Sequence, residues 1–99
     1  MNYKDLVWVR KPTAEQADLL DSQPTWDHEA GVWDAHYDER QETFLVIEGE
    51  ASITTTEGRV YRFQAGDLVT AARDFDCVWE VPNYIKKHYI FNAKEVECE

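Results

Sequence analysis

The sequence holds little that would tie it to nucleic acid, to a membrane or to a disulfide scaffold. Of its 99 residues only 10 are Lys or Arg, against 20 Asp or Glu, which gives a formal net charge of -10 at pH 7. A surface this acidic repels phosphate backbones and anionic lipid heads, so neither is an expected partner. No apolar run approaches the roughly 20 residues needed to span a bilayer. Met1 to Asp5 carry no apolar signal-peptide segment, and a cytoplasmic location is expected. There are two cysteines, too few for a disulfide framework. Cys98 sits in a polar tail and Cys77 in an apolar run, and both are expected as reduced thiols. Repeats, low-complexity tracts and linkers are absent, so a single domain is expected over residues 1–99, with its core in about 26–91.

What is present is a foldable composition, 43% hydrophobic and 30% charged. Four Trp, five Tyr and four Phe are many for this length and suggest a core or pocket lined by rings. Asp5 to Arg10 reads as a short strand ended by Pro12. Thr13-Ala14-Glu15-Gln16 fits a capping box and opens a short helix through Leu20, with Ala14, Ala17 and Leu20 at helical spacing. From Trp26 the pattern changes to strands separated by turns. Val32 to Tyr37 alternates, with Trp33, Ala35 and Tyr37 on one face and Asp34 and His36 on the other. Thr43 to Ile47 reads as a strand covered on both faces, and Glu48-Gly49-Glu50 as a turn. Ala51 to Thr55, Val60 to Phe63, Leu68 to Ala71, Cys77 to Val81 and Ile85 to Phe91 continue the set, with turn glycines at Gly58 and Gly66. About eight or nine short strands at such spacing predict an all-β sandwich or barrel. No helical segments separate them, which excludes a parallel βαβ architecture.

Two spacings carry a resemblance. Glu42 is followed by six residues and then Gly49, and Gly66 opens a second run leading to Cys77 and Val81. Together with Ile53-Thr54-Thr55, Tyr61, Ala65-Gly66-Asp67-Leu68, Cys77-x-Trp79 and Lys87-His88-Tyr89, they resemble the small single-domain cupins related to ureidoglycine aminohydrolase. The resemblance implies a jelly-roll barrel with the short N-terminal helix outside it. It also implies a metal-assisted aminohydrolase-like activity on a polar nitrogenous or carboxylated metabolite. Ala72-Arg73-Asp74 departs from the Pro and Gly turn usual in related sequences, which leaves that loop's conformation open.

Metal-binding cupins hold a divalent ion with three imidazoles and a carboxylate, a set that suits Mn, Fe, Ni or Zn. Here the register places Ala35, Tyr37 and Cys77 at the three histidine positions, with Glu42 as the carboxylate. A shift of one residue would substitute His36 and Asp38 for Ala35 and Tyr37. Strand parity favours Tyr37 inside and His36 outside, because the apolar face turns into a closed barrel. Glu42, Tyr37 and Cys77 are therefore the candidate catalytic and metal-ligating residues, and Trp33, Trp79 and Tyr89 the candidate pocket walls. Tyr37 and Cys77 would ligate only as phenolate and thiolate. The plainer reading makes them interior pocket residues. A carboxyl at Glu42 inside an apolar barrel would have a raised pKa and could serve as general acid or base; at a barrel mouth it would be solvated. His88 is expected exposed or at an interface. Trp8, Val9 and Trp26 are expected on the outside, covering a sheet edge or a homodimer contact. The function expected is small-molecule binding, with or without a divalent metal and catalysis. The alternative is a metal-free, non-catalytic binding or sensing barrel.

Overall fold

A computed structural model describes residues 6–91. The chain runs β1 (Val7–Arg10), α1 (Ala14–Asp21), β2 (Thr25–Tyr37), β3 (Glu42–Thr55), β4 (Val60–Gln64), β5 (Leu68–Ala71) and β6 (Phe75–Phe91). All strand pairs are antiparallel, in the order β1-β5-β3-β6-β2, with β4 paired to the second half of β3. The architecture is the expected all-β jelly roll, with one helix among the described residues.

Thr13 caps α1 as read from the sequence. Its hydroxyl accepts from the Gln16 N–H, and the Gln16 side chain accepts from the Thr13 N–H, so two donors that a helix start leaves unpaired are satisfied together. The helix buries Leu20, which joins Leu68, Leu45 and Ile90 in a small cluster on the outer face of the sheet. This cluster covers the second face of β3 and accounts for the nearly unbroken apolar run that starts there, although Ile47 at its end is exposed. The main core fills the barrel and includes Phe44, Val46, Ile53, Val69, Trp79, Val81 and Ile85.

Among the described residues six strands form the sheet rather than about eight or nine, because two pairs of expected strands are continuous. Glu48-Gly49-Glu50 is not a turn. It lies inside β3, whose pairing with β6 shifts register between Val46 and Glu48 and again between Gly49 and Ser52. Gly49 has φ +78°, and a Cβ there would run into the Tyr84 carbonyl. Likewise β6 runs through Pro82 and Asn83, which its pairing with β2 skips. Bulges of this kind bend strands, and here they curl one sheet into a barrel. Gly58 (φ +86°) and Gly66 (φ +97°) do sit in turns as expected.

The parity of β2 is the one the alternation predicts. Trp33, Ala35 and Tyr37 point in, while His36 is outside with Nδ1 2.7 Å from Asp76 Oδ1. The loop at 72–74 is closed by Asp74, at φ 60°, whose N–H donates to the Asp38 carbonyl at 2.7 Å. Asp is among the few side chains at home in the left-handed region, so it takes the place of a turn glycine.

Candidate functional site

β2 ends in Tyr37 and β3 begins with Glu42, so the short connection between them delivers a phenol and a carboxyl to one end of the barrel. Tyr37 donates its O–H to Glu42 Oε1 at 2.8 Å. The other carboxyl oxygen accepts from Lys87 Nζ at 2.7 Å. Lys87 lies on β6, opposite Trp26 on one side and Val46 on the other. Its side chain is 6% exposed and that of Glu42 8%.

Rings surround the ammonium. Nζ lies 4.1 Å from the Phe44 ring centroid, 4.8 Å from Trp79 and 4.9 Å from Trp26. The negative faces of aromatic rings attract a cation, which offsets part of the cost of removing it from water. Burial pulls the Lys87 pKa below its ordinary value, and the Glu42 carboxylate opposes that shift. Tyr37 moves the opposite way. Burial, then the charge on Glu42, hold its phenol well above the usual range, so it is a neutral donor. Its ring stacks on Phe75 with centroids 5.1 Å apart.

Above this trio opens a cavity of about 230 Å³, lined by Trp26, Trp33, Tyr37, Glu42, Trp79 and Lys87, with the exposed Arg40 also contributing. An adjoining space of about 280 Å³ shares Trp26, Glu42 and Lys87 and adds Tyr89 and Phe91. Trp33 and Trp79 lie parallel, 6.0 Å apart, and Trp26 meets both edge-on. Of the expected pocket walls, Trp33 and Trp79 line one cavity with Glu42 and Tyr37, while Tyr89 lines the adjoining one with Glu42.

Cys77 is placed apart from them. It is buried opposite Ala35 and Thr55 and lines a different cavity, of about 420 Å³, with Thr54, Thr56 and Asp76. Burial, then the charges of Asp76 and Glu42, push its thiol up to about 11. Trp26 is a correction to the outward placement, since it packs against Trp79 and over Lys87. His88 is not exposed, which corrects that half of its expected placement. Only 13% of its side chain is exposed, and its Nδ1 lies 2.8 Å from the Gln23 carbonyl oxygen.

The residues at the metal-ligand positions do not suit a divalent ion. Ala35 has no donor atom. Tyr37 and Cys77 would each have to give up a proton that burial holds in place before they could ligate. Both oxygens of Glu42 are engaged, one of them by a cation that would repel a second. His36 and Asp38 are exposed and bound elsewhere, to Asp76 and to the Arg40 N–H. Among the described residues no three of His, Cys, Asp and Glu converge as a ligand set.

Lys87 is the residue of this candidate site that the sequence pattern did not single out. The available signal was its parity, since Ile85, Lys87 and Tyr89 alternate on one face of an otherwise apolar strand.

The profile of the EutQ-like cupin domain matches residues 15–89. A DUF861-family protein from Thermotoga maritima superposes with a TM-score of 0.79 at 34% identity, over 85% of this chain and 97% of that one. A protein of unknown function from Pseudomonas syringae pv. tomato, also of the DUF861 family, superposes with a TM-score of 0.62 at 24% identity. That match covers 69% of this chain but 29% of the other, and it bears on the fold. No functionally curated protein matches the chain.

Proposed function

This chain belongs to the EutQ-like cupin domain family, and from that premise we propose that its barrel binds a small metabolite bearing a carboxylate or carbonyl group, using Lys87 as an internal cation in place of a metal ion. The observation that carries this reading is the hydrogen bonding of the buried ammonium. Lys87 has three N–H donors, and one of them reaches Glu42. The ammonium borders the 230 Å³ cavity, where an oxygen acceptor on a ligand would satisfy what the rings leave over. The volume lies just below the roughly 300–1,000 Å³ typical of sites for drug-sized ligands, which points to a smaller molecule. The indole walls favour a flat one. Tyr37, as a neutral phenol, and the nearby Arg40 add polar contacts.

The metal-assisted aminohydrolase-like activity suggested by the resemblance has less support, because the side chains standing at the ligand positions are poor ligands. A cytoplasmic setting and pairing as a homodimer belong to the same proposal. The free thiol of Cys77 fits the first, and the exposed Trp8 and Val32 on the outermost strands β1 and β2 fit the second.

The test is a panel of small carboxylates and matched amines, read by thermal shift and calorimetric titration in the presence of EDTA. A ligand that binds N alone raises stability in proportion to the logarithm of its concentration. Carboxylates that stabilise the wild type in EDTA, and fail to stabilise Lys87→Met, are the expected result. Binding that requires added Mn²⁺, or that Lys87→Met retains, would overturn the reading.

A further inference from the structure

We infer that Lys87 forms a reversible imine with the carbonyl carbon of a small aldehyde or 2-oxo acid held between Trp26, Trp33 and Trp79. The inference rests on the binding reading above and adds a covalent step to it. Three placements carry it. Lys87 is the one amine among the residues lining the 230 Å³ and 280 Å³ cavities. Phe44, Trp26 and Trp79 surround its Nζ, and its side chain is 6% exposed. A proton acceptor, Glu42 Oε2, stands 2.7 Å away, and its other oxygen is tied to Tyr37 at 2.8 Å. A desolvated lysine in an apolar pocket is the form of lysine used as a nucleophile toward carbonyls, and burial acts on Lys87 in that direction.

The step balances without an oxidant or reductant. Glu42 takes one proton from the ammonium and frees the nitrogen lone pair. Nitrogen attacks the carbonyl carbon, and the C=O π pair moves onto oxygen, which takes up the proton that Glu42 holds. The second proton leaves nitrogen by the same route as the C–O bond breaks. Ammonium plus carbonyl thus yields a protonated imine and one water. Tyr37 positions the carboxyl through its hydrogen bond and does not itself change charge.

Lys86 is the internal control. It is the next residue on β6, faces away from the cavity and pairs in register with Asp27 and Glu48. The experiment incubates the protein with glyoxylate or pyruvate and cyanoborohydride, which reduces an imine to a stable secondary amine, followed by intact-mass measurement and peptide mapping. The expected result is one adduct per chain, at Lys87, formed at least about tenfold faster than at Lys86 and absent from Lys87→Arg. Glu42→Gln, which removes the proton acceptor, should slow it by about tenfold or more. Thermal shifts with pyruvate and with lactate, which lacks the carbonyl, are measured alongside. Stabilisation by both acids, with no adduct or with adducts spread evenly over the lysines, overturns the imine and leaves the binding reading standing. If neither acid stabilises the fold and no adduct forms, both fall. An adduct confined to Lys87 supports the imine whatever the size of the shifts.

Discussion

Lys87 and Glu42 form an ion pair that neither partner carries to solvent, with Nζ 2.7 Å from Oε2 and the two side chains 6% and 8% exposed. A buried pair of this kind gains little over a well-packed apolar pair, but removing one partner strands the other charge. Glu42→Gln should therefore cost about 3–5 kcal/mol, while the double variant Glu42→Gln with Lys87→Met should cost clearly less than the sum of the two single changes. Urea unfolding of all four proteins measures the coupling. Additive costs would mean that the two charges do not depend on each other.

The hydrogen bond from Tyr37 to Glu42 has its own consequence for pH. The folded-state value of Tyr37 is raised, first by burial and then by the Glu42 charge, so the neutral phenol favours folding. That contribution is full below the unfolded value of about 10 and is lost as pH rises through the higher folded value. Lys87 acts in the other sense, since a lowered folded value makes folding release a proton and eases as pH rises. Comparing the wild type with Tyr37→Phe isolates the phenol. The variant should be less stable by about 1–3 kcal/mol near pH 7, because a buried carboxyl oxygen loses its donor. The gap should shrink above pH ~10 as the wild type loses this contribution. Thermal unfolding across pH 7–11 reads it, and a gap that stays constant would remove Tyr37 from the titration.

The parts of this molecule that were legible in its sequence are those fixed by neighbours along the chain. The capping box of Thr13 and Gln16 closes within four residues, and the alternation of Trp33, Ala35 and Tyr37 needs only a pleated strand to decide which side faces the core. Gly58 and Gly66 sit in turns for equally local reasons. Strand count was not legible, because Gly49 and Pro82 look like breaks while the backbone partners that carry β3 and β6 past them come from remote segments. The site divides along the same line. Tyr37 and Glu42 are five residues apart, and counting along the motif finds them. Lys87 reaches Glu42 across 45 residues of sequence, and Trp26 meets Lys87 only through the β2–β6 pairing. A lysine on an inward face reads as an exception until its counter-charge is known.

Cys77 has the chemistry of a core side chain despite standing at a ligand position. Burial, then the charges of Asp76 and Glu42, push its thiol up to about 11. The thiolate is the reactive form, so at pH 7–8 native Cys77 should react with iodoacetamide about a hundredfold or more slowly than an unperturbed cysteine, even before steric protection is counted. Mass spectrometry of the Cys77 peptide after timed labelling of native and urea-unfolded protein measures the ratio. Equal rates in the two states would show an accessible thiol whose pKa burial does not raise, and faster labelling of the native protein would return Cys77 to the list of nucleophiles.

Gly49 and Gly58 share a left-handed backbone, at φ +78° and +86°, yet their surroundings differ. Around Gly58 an added Cβ meets nothing within 4 Å, so Gly58→Ala has only the backbone to strain. That should cost about 1–2 kcal/mol. At Gly49 the same methyl would collide with the Tyr84 carbonyl and come within 3.1 Å of the Ile85 Cα, both on the strand that carries Lys87. Neither obstacle is a flexible side-chain end, so relief requires the β3–β6 bulge to open. Gly49→Ala should therefore cost at least about 3 kcal/mol, beyond the range of most single substitutions. Displacing β6 should also move Lys87 relative to Glu42, so any binding of small carboxylates should weaken in Gly49→Ala and stay unchanged in Gly58→Ala. Urea midpoints and ligand-induced thermal shifts on the two variants test both parts. Equal destabilisation by the two substitutions would mean that the bulge yields to the added methyl without cost, and that it does not fix the position of the ion pair.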